Sequence, residues 1–386
     1  MPAPIAPVAR ALRPEVDPDG LLEFSVVFTD RSLNHMSKRF QQVMRDISAG
    51  LRGVYNADAV AVVPGGGTCA MEAVARQFCH GGRALVVRNG WFSFRWSQIF
   101  DAGTLVDEAE VLKARPAGNA PRAPFAPAPI EEVVARIRTT RPGMVFAPHV
   151  ETSAGVILPE SYIAALAEAA HEVGALMVLD CIASGCVWVD MKALGVDVLI
   201  SAPQKGWSAQ PCAGLVMLSA EAAARAKAAQ SSSFALDLGR WLAIMEAYEG
   251  GGHAYHATLP TDALAVFRDA LHETRDFGLN AAAEAQWALG RAVRAELAAR
   301  GAVSVAAEGF GAPGVVVAYT DDVEVQSGRA FAALGVQIAA GVPLQCDEPE
   351  GFRSFRLGLF GLDKLADVDA TLARLRPALD AVLGAA

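Results

Sequence analysis

Lys205 lies in a turn of small residues, Leu-Ile-Ser-Ala-Pro-Gln-Lys-Gly-Trp-Ser at 199–208, about two dozen residues after Asp180. Asp180 closes the apolar run Ala-Leu-Met-Val-Leu-Asp at 175–180. A primary amine at a strand end is a nucleophile toward aldehydes, and a carboxylate at the end of a buried run needs a cationic partner to offset its desolvation. A protonated pyridine nitrogen is such a partner. The spacing is therefore that of a pyridoxal-phosphate site, in which the lysine forms the Schiff base and the acid holds the ring nitrogen. Without the lysine, Asp180 also reads as an acidic cap on the segment that follows.

Other strand-following segments carry groups that a planar, phosphorylated ligand needs. At 64–73 the run Pro-Gly-Gly-Gly-Thr-Cys-Ala-Met-Glu-Ala passes from a strand into a helix. Glycines there let backbone approach an anion, the helix start offers unpaired N–H groups, and Thr68 adds a hydroxyl. An ordinary glycine-rich strand–helix turn looks the same. The run is neither a Walker loop nor a Gly-x-Gly-x-x-Gly fingerprint, because position 70 is alanine. Arg-Asn-Gly-Trp-Phe-Ser at 88–93 sets two aromatics after the next strand, either flat partners for a flat ring or core residues. Pro-His-Val-Glu-Thr-Ser-Ala-Gly-Val at 148–156 is a polar loop after a further strand, where Thr152 or Ser153 can hydrogen-bond a ring substituent.

Such segments need a scaffold that presents strand ends side by side. Apolar runs at 60–63, 84–87, 143–147, 175–179, 196–200 and 214–218 read as buried strands. Residues 70–78, 130–139 and 162–173 read as helices, with apolar residues at three- and four-residue spacing. The alternation predicts an α/β fold, a mostly parallel sheet covered by helices on both faces. The Pro- and Ala-rich stretch 115–129 reads as a surface strap. Residues 263–300 read as long helical sequence broken near Gly278. Short strands at 303–305, 314–319, 336–338 and 355–357, with helices at 327–334 and 365–383, predict a smaller C-terminal α+β domain. The expected division is an N-terminal arm at 1–20, a large domain at 21–275 and a small domain at 276–386.

In this order (glycine-rich turn, aromatic, polar loop, acid, lysine) the chain resembles the class V aminotransferases of pyridoxal-phosphate fold type I over nearly its whole length. The similarity is greatest to their alanine–glyoxylate and serine–glyoxylate branch. The resemblance implies pyridoxal 5′-phosphate as cofactor, with Gly66, Gly67 and Thr68 on its phosphate, Phe92 stacked on the ring and Thr152 beside the 3′-oxygen. It also implies Asp180 on the ring nitrogen, Ile182 on the opposite ring face, and Gln204 helping to hold the phosphate beside the catalytic Lys205. Tyr-His-Ala-Thr at 255–258 resembles the segment that the family lends across a homodimer, so Tyr255 and Thr258 would reach the neighbouring subunit's phosphate. Gly-Phe-Arg-Ser-Phe-Arg-Leu-Gly at 351–358 resembles the family's Phe-Arg-Ile-Gly element. That makes Arg356 the anchor for a substrate carboxylate through a bidentate fork, and leaves Arg353 at the surface.

The N-proximal segment departs from the family pattern. Where members usually carry a Pro-Gly-Pro-Thr type sequence, residues 24–37 read Phe-Ser-Val-Val-Phe-Thr-Asp-Arg-Ser-Leu-Asn-His-Met-Ser. In this fold that region reaches over the substrate side of the cofactor, so Arg31, Asn34 and His35 are candidate substrate contacts, with a structural role for His35 as the plainer alternative. Tryptophan is common at the stacking position, and Phe92 preserves a flat apolar face there.

The expected function is a pyridoxal-phosphate-dependent aminotransferase that moves an amino group from a small, alanine- or serine-like donor to a 2-oxo acid such as glyoxylate or pyruvate. Lys205 would hold the cofactor and carry the proton between Cα and C4′, and two half-reactions at one site would give ping-pong kinetics. One rival is a lyase or desulfurase of the same superfamily, for which Cys346, ten residues before Arg356, would be the reactive thiol. A regulator that binds the cofactor without turnover is another. An aminotransferase for 2-aminoethylphosphonate, aspartate or pyridoxamine would need a further cation, with Arg31, Arg95 and Arg353 as candidates. Composition narrows the partners. A net charge of −9 without a Lys/Arg-rich run disfavours nucleic acid and anionic membranes. No apolar run reaches the roughly 18–20 residues of a membrane span, and the first residues lack a signal-peptide core, so a cytoplasmic location is expected. The scattered cysteines read as reduced thiols, and Cys181 and Cys186 have no second pair with which to hold zinc.

Overall fold

The computed structural model describes residues 16–385 except 19, so most of the expected arm at 1–20 lies outside the described residues. Seven strands form the main sheet: β1 (Ala59–Pro64), β2 (Arg83–Arg88), β3 (Glu108–Lys113), β4 (Met144–Pro148), β5 (Leu176–Asp180), β6 (Val198–Ser201) and β7 (Ala213–Leu218). Their order is β1-β7-β6-β5-β4-β2-β3. β7 runs antiparallel to β1 and β6, and the remaining pairings are parallel. Every residue of β4, β5, β6 and β7 is buried. Successive side chains point to opposite faces of a sheet, so both faces are covered.

The cover is helical: α1 (Lys38–Tyr55), α2 (Gly67–Phe78), α3 (Trp91–Gly103), α4 (Ile130–Thr140), α5 (Glu160–Glu172), α6 (Leu238–Glu249) and α7 (Thr261–Phe277). α1 shows why these segments coil. Ser37 caps its start by accepting from Phe40 N, and Phe40, Val43, Met44, Ile47 and Leu51 recur on one face and are buried. The helical sequence after 263 is interrupted at Gly278, whose φ of 100° is in the left-handed half of the map, and resumes as α8 (Leu279–Ala299).

Past α8 a second sheet forms from β8 (Val315–Tyr319), β9 (Ala339–Ala340) and β10 (Ser354–Gly358), in the order β8-β10-β9 with antiparallel pairing. It packs with α8 and α9 (Val368–Leu383) around Leu289, Val293, Phe355, Leu357 and Leu379. The expected strand at 336–338 pairs slightly later, through Ala339 and Ala340, while 303–305 contributes only a bridge from Ser304 to Ala318. The helix expected at 327–334 is two single turns, Val323–Gln326 and Arg329–Ala332, parted at Gly328. A third apolar cluster joins Phe125 of the strap, Val150, Ala154 and Ala183 of the strand-end loops, and Val315 and Val317 of β8. We infer that the two units divide at Gly278, with this cluster as the seam. Among the described residues no helix is long and apolar enough to cross a membrane.

The turn that carries Lys205 is held from below. Trp207 is buried against Trp188, Tyr55 and Phe267. Beside it, a Cβ on Gly206 would stand 2.1 Å from the carbonyl oxygen of Gly185. Only hydrogen fits there, so a backbone–backbone contact sets the height of the turn. Gly206→Ala is expected to lower stability by about 1–3 kcal/mol through overpacking, seen as a fall in the urea midpoint. An unchanged midpoint would show that the turn can simply lift.

Candidate active site

Parallel pairing brings the chemistry to one edge. Pro148, Asp180 and Ile200 are register partners across β4, β5 and β6, so the loops that follow them leave the carboxyl edge together. Asp180 is 6% exposed, and its Oδ1 accepts from Ile182 N at 2.9 Å. Burial raises its carboxyl to about 7; the Ile182 N–H opposes the rise, the nearby Glu151 charge adds to it and Arg95 opposes it. Ile182 in turn lies against the glycine-rich turn, where a Cβ on Gly67 would sit 2.5 Å from Ile182 Cδ1.

Glu151 was not singled out from sequence, yet it organises this edge. It is wholly buried. Its carboxylate accepts from the Phe92 and Ser93 backbone N–H groups, from Ser93 Oγ, and from Ser153 N and Oγ. Phe92 and Ser93 open α3, so the acid satisfies N–H groups that a helix start leaves unpaired and meets the positive end of its dipole. Gly90 is required by the same packing, since a Cβ there would meet Ser153 Oγ at 2.0 Å. Ser153 is thereby committed to Glu151 and to Trp91 N. Of the two hydroxyls in this loop, only Thr152 makes no hydrogen bond among the described residues.

Around Phe92 the side chains are cationic. Arg95, one helical turn on, has its guanidinium carbon 4.8 Å from the ring centroid and donates from Nη1 to Thr68 Oγ1 at 2.9 Å. Arg356, on β10 of the second sheet, stands 5.5 Å from the same ring and gives its Nε to Ala340 O at 2.8 Å. Lys205 Nζ lies 5.2 Å from the Phe360 ring, an aromatic not anticipated from sequence. Burial, then Arg356 and Arg95, hold the Lys205 amine below its ordinary pKa. Hence Thr68, Phe92, Asp180, Ile182, Lys205 and Arg356 converge, and Gly66, Gly67, Thr152 and Gln204 adjoin them in sequence. Arg353 and Arg31 are exposed.

Tyr255 and Thr258 are elsewhere in this chain. Both are exposed and bond to each other at 3.1 Å, and Tyr255 packs 5.4 Å from the ring of His35. The departing segment belongs to the same patch: His35 is buried beside Phe28 and His253, while Asn34 donates to Glu23. Phe24, Val26 and Leu21 are strongly exposed.

The donor set suits a phosphorylated pyridine. Gln204 Oε1 is buried without a partner, a Cβ on Gly66 would meet nothing within 4 Å, and Asp180, within electrostatic reach of Arg95, makes no ion pair among the described residues. An acid, a lysine and a glycine-opened helix at one parallel edge, beside a small antiparallel sheet, define a pyridoxal-phosphate enzyme of fold type I. The aminotransferase class-V family matches residues 22–341, and the chain belongs to that family. Pyridoxal 5′-phosphate is its cofactor and aminotransfer its class of reaction. Over 350 residues it is 28% identical to a soluble hydrogenase small subunit of Synechococcus sp., covering 89% of this chain and 88% of that one. It is 28% identical to alanine–glyoxylate aminotransferase of Rattus norvegicus over 64% of this chain and 58% of that enzyme. The solved alanine–glyoxylate aminotransferase of Nostoc sp. has the same fold, with a TM-score of 0.76 and 24% identity over 90% of this chain and 88% of its own.

A carboxyl raised on folding stabilises the protein below its ordinary pKa and withdraws that stability as pH climbs through the raised value. In cofactor-free protein, the Asp180 contribution to stability is therefore expected to be lost between about pH 4 and about pH 8. Asp180→Asn should flatten that part of the thermal-midpoint profile, and identical slopes in the two proteins would refute the assignment.

Proposed function

We propose that the chain transfers an amino group from a small, alanine- or serine-like amino acid to a 2-oxo acid such as glyoxylate or pyruvate, in two half-reactions at one site. The observation that carries this reading is the place of Arg356. Its Nε is spent on Ala340 O, which leaves both Nη groups for a carboxylate, and the guanidinium stands over Phe92 within electrostatic reach of Lys205.

When bound, pyridoxal phosphate supplies an aldehyde that condenses with amines and a ring that accepts the electron pair left at Cα. Gly66, Gly67, Thr68 and Gln204 would hold its phosphate, Phe92 and Ile182 its two faces, Thr152 its 3′-oxygen and Asp180 its nitrogen. Asp180 keeps that nitrogen protonated. The Lys205 amine, with its proton affinity lowered by burial and two guanidinium groups, would hold the cofactor and, once the donor's amine has displaced it, would be free to carry the proton from Cα. Arg356 orients the donor so that the bond being broken is aligned.

Tyr255 and Thr258 complete the phosphate seat of a neighbouring subunit in a cytoplasmic homodimer. Their exposure, and the apolar side chains exposed on the adjoining segment, support that reading. The desulfurase alternative lacks its nucleophile. Cys346 is buried, its Sγ lies 3.4 Å from Arg88 O, and burial pushes its thiol up to about 12.

Lys205→Ala should abolish turnover of alanine with glyoxylate. Arg356→Gln should raise the KM for alanine about 10- to 100-fold while leaving the bound-cofactor absorption in place. Release of ammonia or sulfide without any need for a 2-oxo acid would sink the aminotransferase reading. Mixing Lys205→Ala chains with Tyr255→Ala chains should restore activity through hybrid dimers that contain one intact site. If the mixture stays as inactive as its parts, the shared site is wrong.

A further inference from the structure

We propose that Arg95 is a second anion-binding group of this site, one that takes a phosphate-type oxyanion at the Thr68 turn. The inference rests on the reading of the site as an aminotransferase centre and adds to it a residue and a ligand chemistry. Arg95 sits on α3 at three residues from Phe92, so both side chains leave the same face of the helix. Its guanidinium is held in two ways, by the 2.9 Å bond from Nη1 to Thr68 Oγ1 and by the Phe92 ring at 4.8 Å. That pose sets a planar, permanently charged donor at a residue in the first turn of α2. The turn itself contributes N–H groups but no side-chain cation.

Charge in the cleft argues the same way. Lys205 stands close enough to Arg356 and Arg95 to be repelled by both, and none of the three makes an ion pair among the described residues. Glu151, the nearest fully buried acid, is already occupied by the N–H groups of α3 and the hydroxyls of Ser93 and Ser153. Asp180 lies within electrostatic reach of Arg95, but it is a single carboxylate that is needed at the ring nitrogen. Hydrogen bonds from neutral groups leave the Glu151 charge in place, and Arg356 lies within its reach. With Asp180 assigned to the ring nitrogen and Arg356 to a substrate carboxylate, Arg95, held at the Thr68 hydroxyl, is the cation without an assigned anion. The fork of its guanidinium matches the oxygens of a phosphate or phosphonate.

Two sources offer that chemistry, the cofactor's own phosphate and the phosphonate group of a substrate such as 2-aminoethylphosphonate. Wild-type, Arg95→Gln and Arg95→Lys proteins would be titrated with pyridoxal phosphate, and with pyridoxal, by visible absorption. The cofactor-free forms would be titrated with inorganic phosphate by calorimetry, and KM would be measured for alanine and for 2-aminoethylphosphonate. If the cofactor is the source, Arg95→Gln weakens pyridoxal phosphate and inorganic phosphate about 10- to 100-fold, spares pyridoxal, and is partly rescued by lysine. If the substrate is the source, cofactor affinity is kept and the KM for 2-aminoethylphosphonate alone rises by a similar factor. Equal affinities of wild-type and Arg95→Gln proteins for phosphate, cofactor and phosphonate donor overturn the proposal.

Should Arg95→Gln fail to fold, Arg95→Lys carries the test: it keeps the charge, loses the fork, and is expected to weaken phosphate several-fold relative to wild type, with no weakening counting against the idea. Arg353→Gln, at an exposed arginine, should leave every reading unchanged. Phosphate calorimetry does not depend on turnover. A wild-type protein that binds phosphate through Arg95 yet transfers no amino group would refute the proposed function and leave Arg95 standing.

Discussion

Two carboxylates buried at one sheet edge, Asp180 and Glu151, set the terms for everything around them. An unpaired charge in such a place costs several kcal/mol, and the chain meets that cost in two different ways. Glu151 is answered permanently, by the N–H groups at the start of α3 and by the hydroxyls of Ser93 and Ser153. Its position therefore decides where α3 begins, and with that where Phe92 and Arg95 point. Asp180 has only the Ile182 N–H fixed on it and retains an appetite for a cation. One acid builds the site and the other is left reactive within it.

That difference explains what could be read from the residues alone. The lysine, the acid and the apolar strands are legible because each breaks or keeps a short local pattern: Asp180 ends a run of buried side chains, and the break at Gly278 interrupts a helical period. β3 was not legible. It is one of the two edge strands, and Glu108 and Glu110 alternate with Ala109 and Val111 along it, so it lacks the continuous apolar run of the buried strands. Glu151 stood inside a loop whose hydroxyls drew attention first. The desolvation argument that singled out Asp180 applies to it equally, but apart from Ser153 its partners come from residues about 60 positions earlier. Arg95 needed the start of α3 to be known to within a residue before its shared face with Phe92 could count. Phe360 is near Lys205 only through the packing of the second sheet.

The short elements after residue 300 drifted most from expectation. β9 has two residues, and the turns at 323–332 are single, so neither is long enough for periodicity to locate its ends. What positions them is tertiary: β10 pairs with β8 on one side and β9 on the other, and it is this sandwiching that brings Arg356 to Phe92.

The third apolar cluster has a mechanical meaning. It ties Val150, Ala154 and Ala183, neighbours of Glu151, Thr152 and Ile182, to Val315 and Val317 of the strand that pairs with Arg356's own. Arg356, proposed as the carboxylate anchor, and the residues proposed to hold the ring are thus mounted on one piece of close-packed core, and a wide swing of the small sheet would have to tear it open. On the proposed reading, discrimination between donors works like a fixed calliper rather than a closing hand: the distance from Arg356 to Lys205 is machined into the fold, and a donor either spans it or does not.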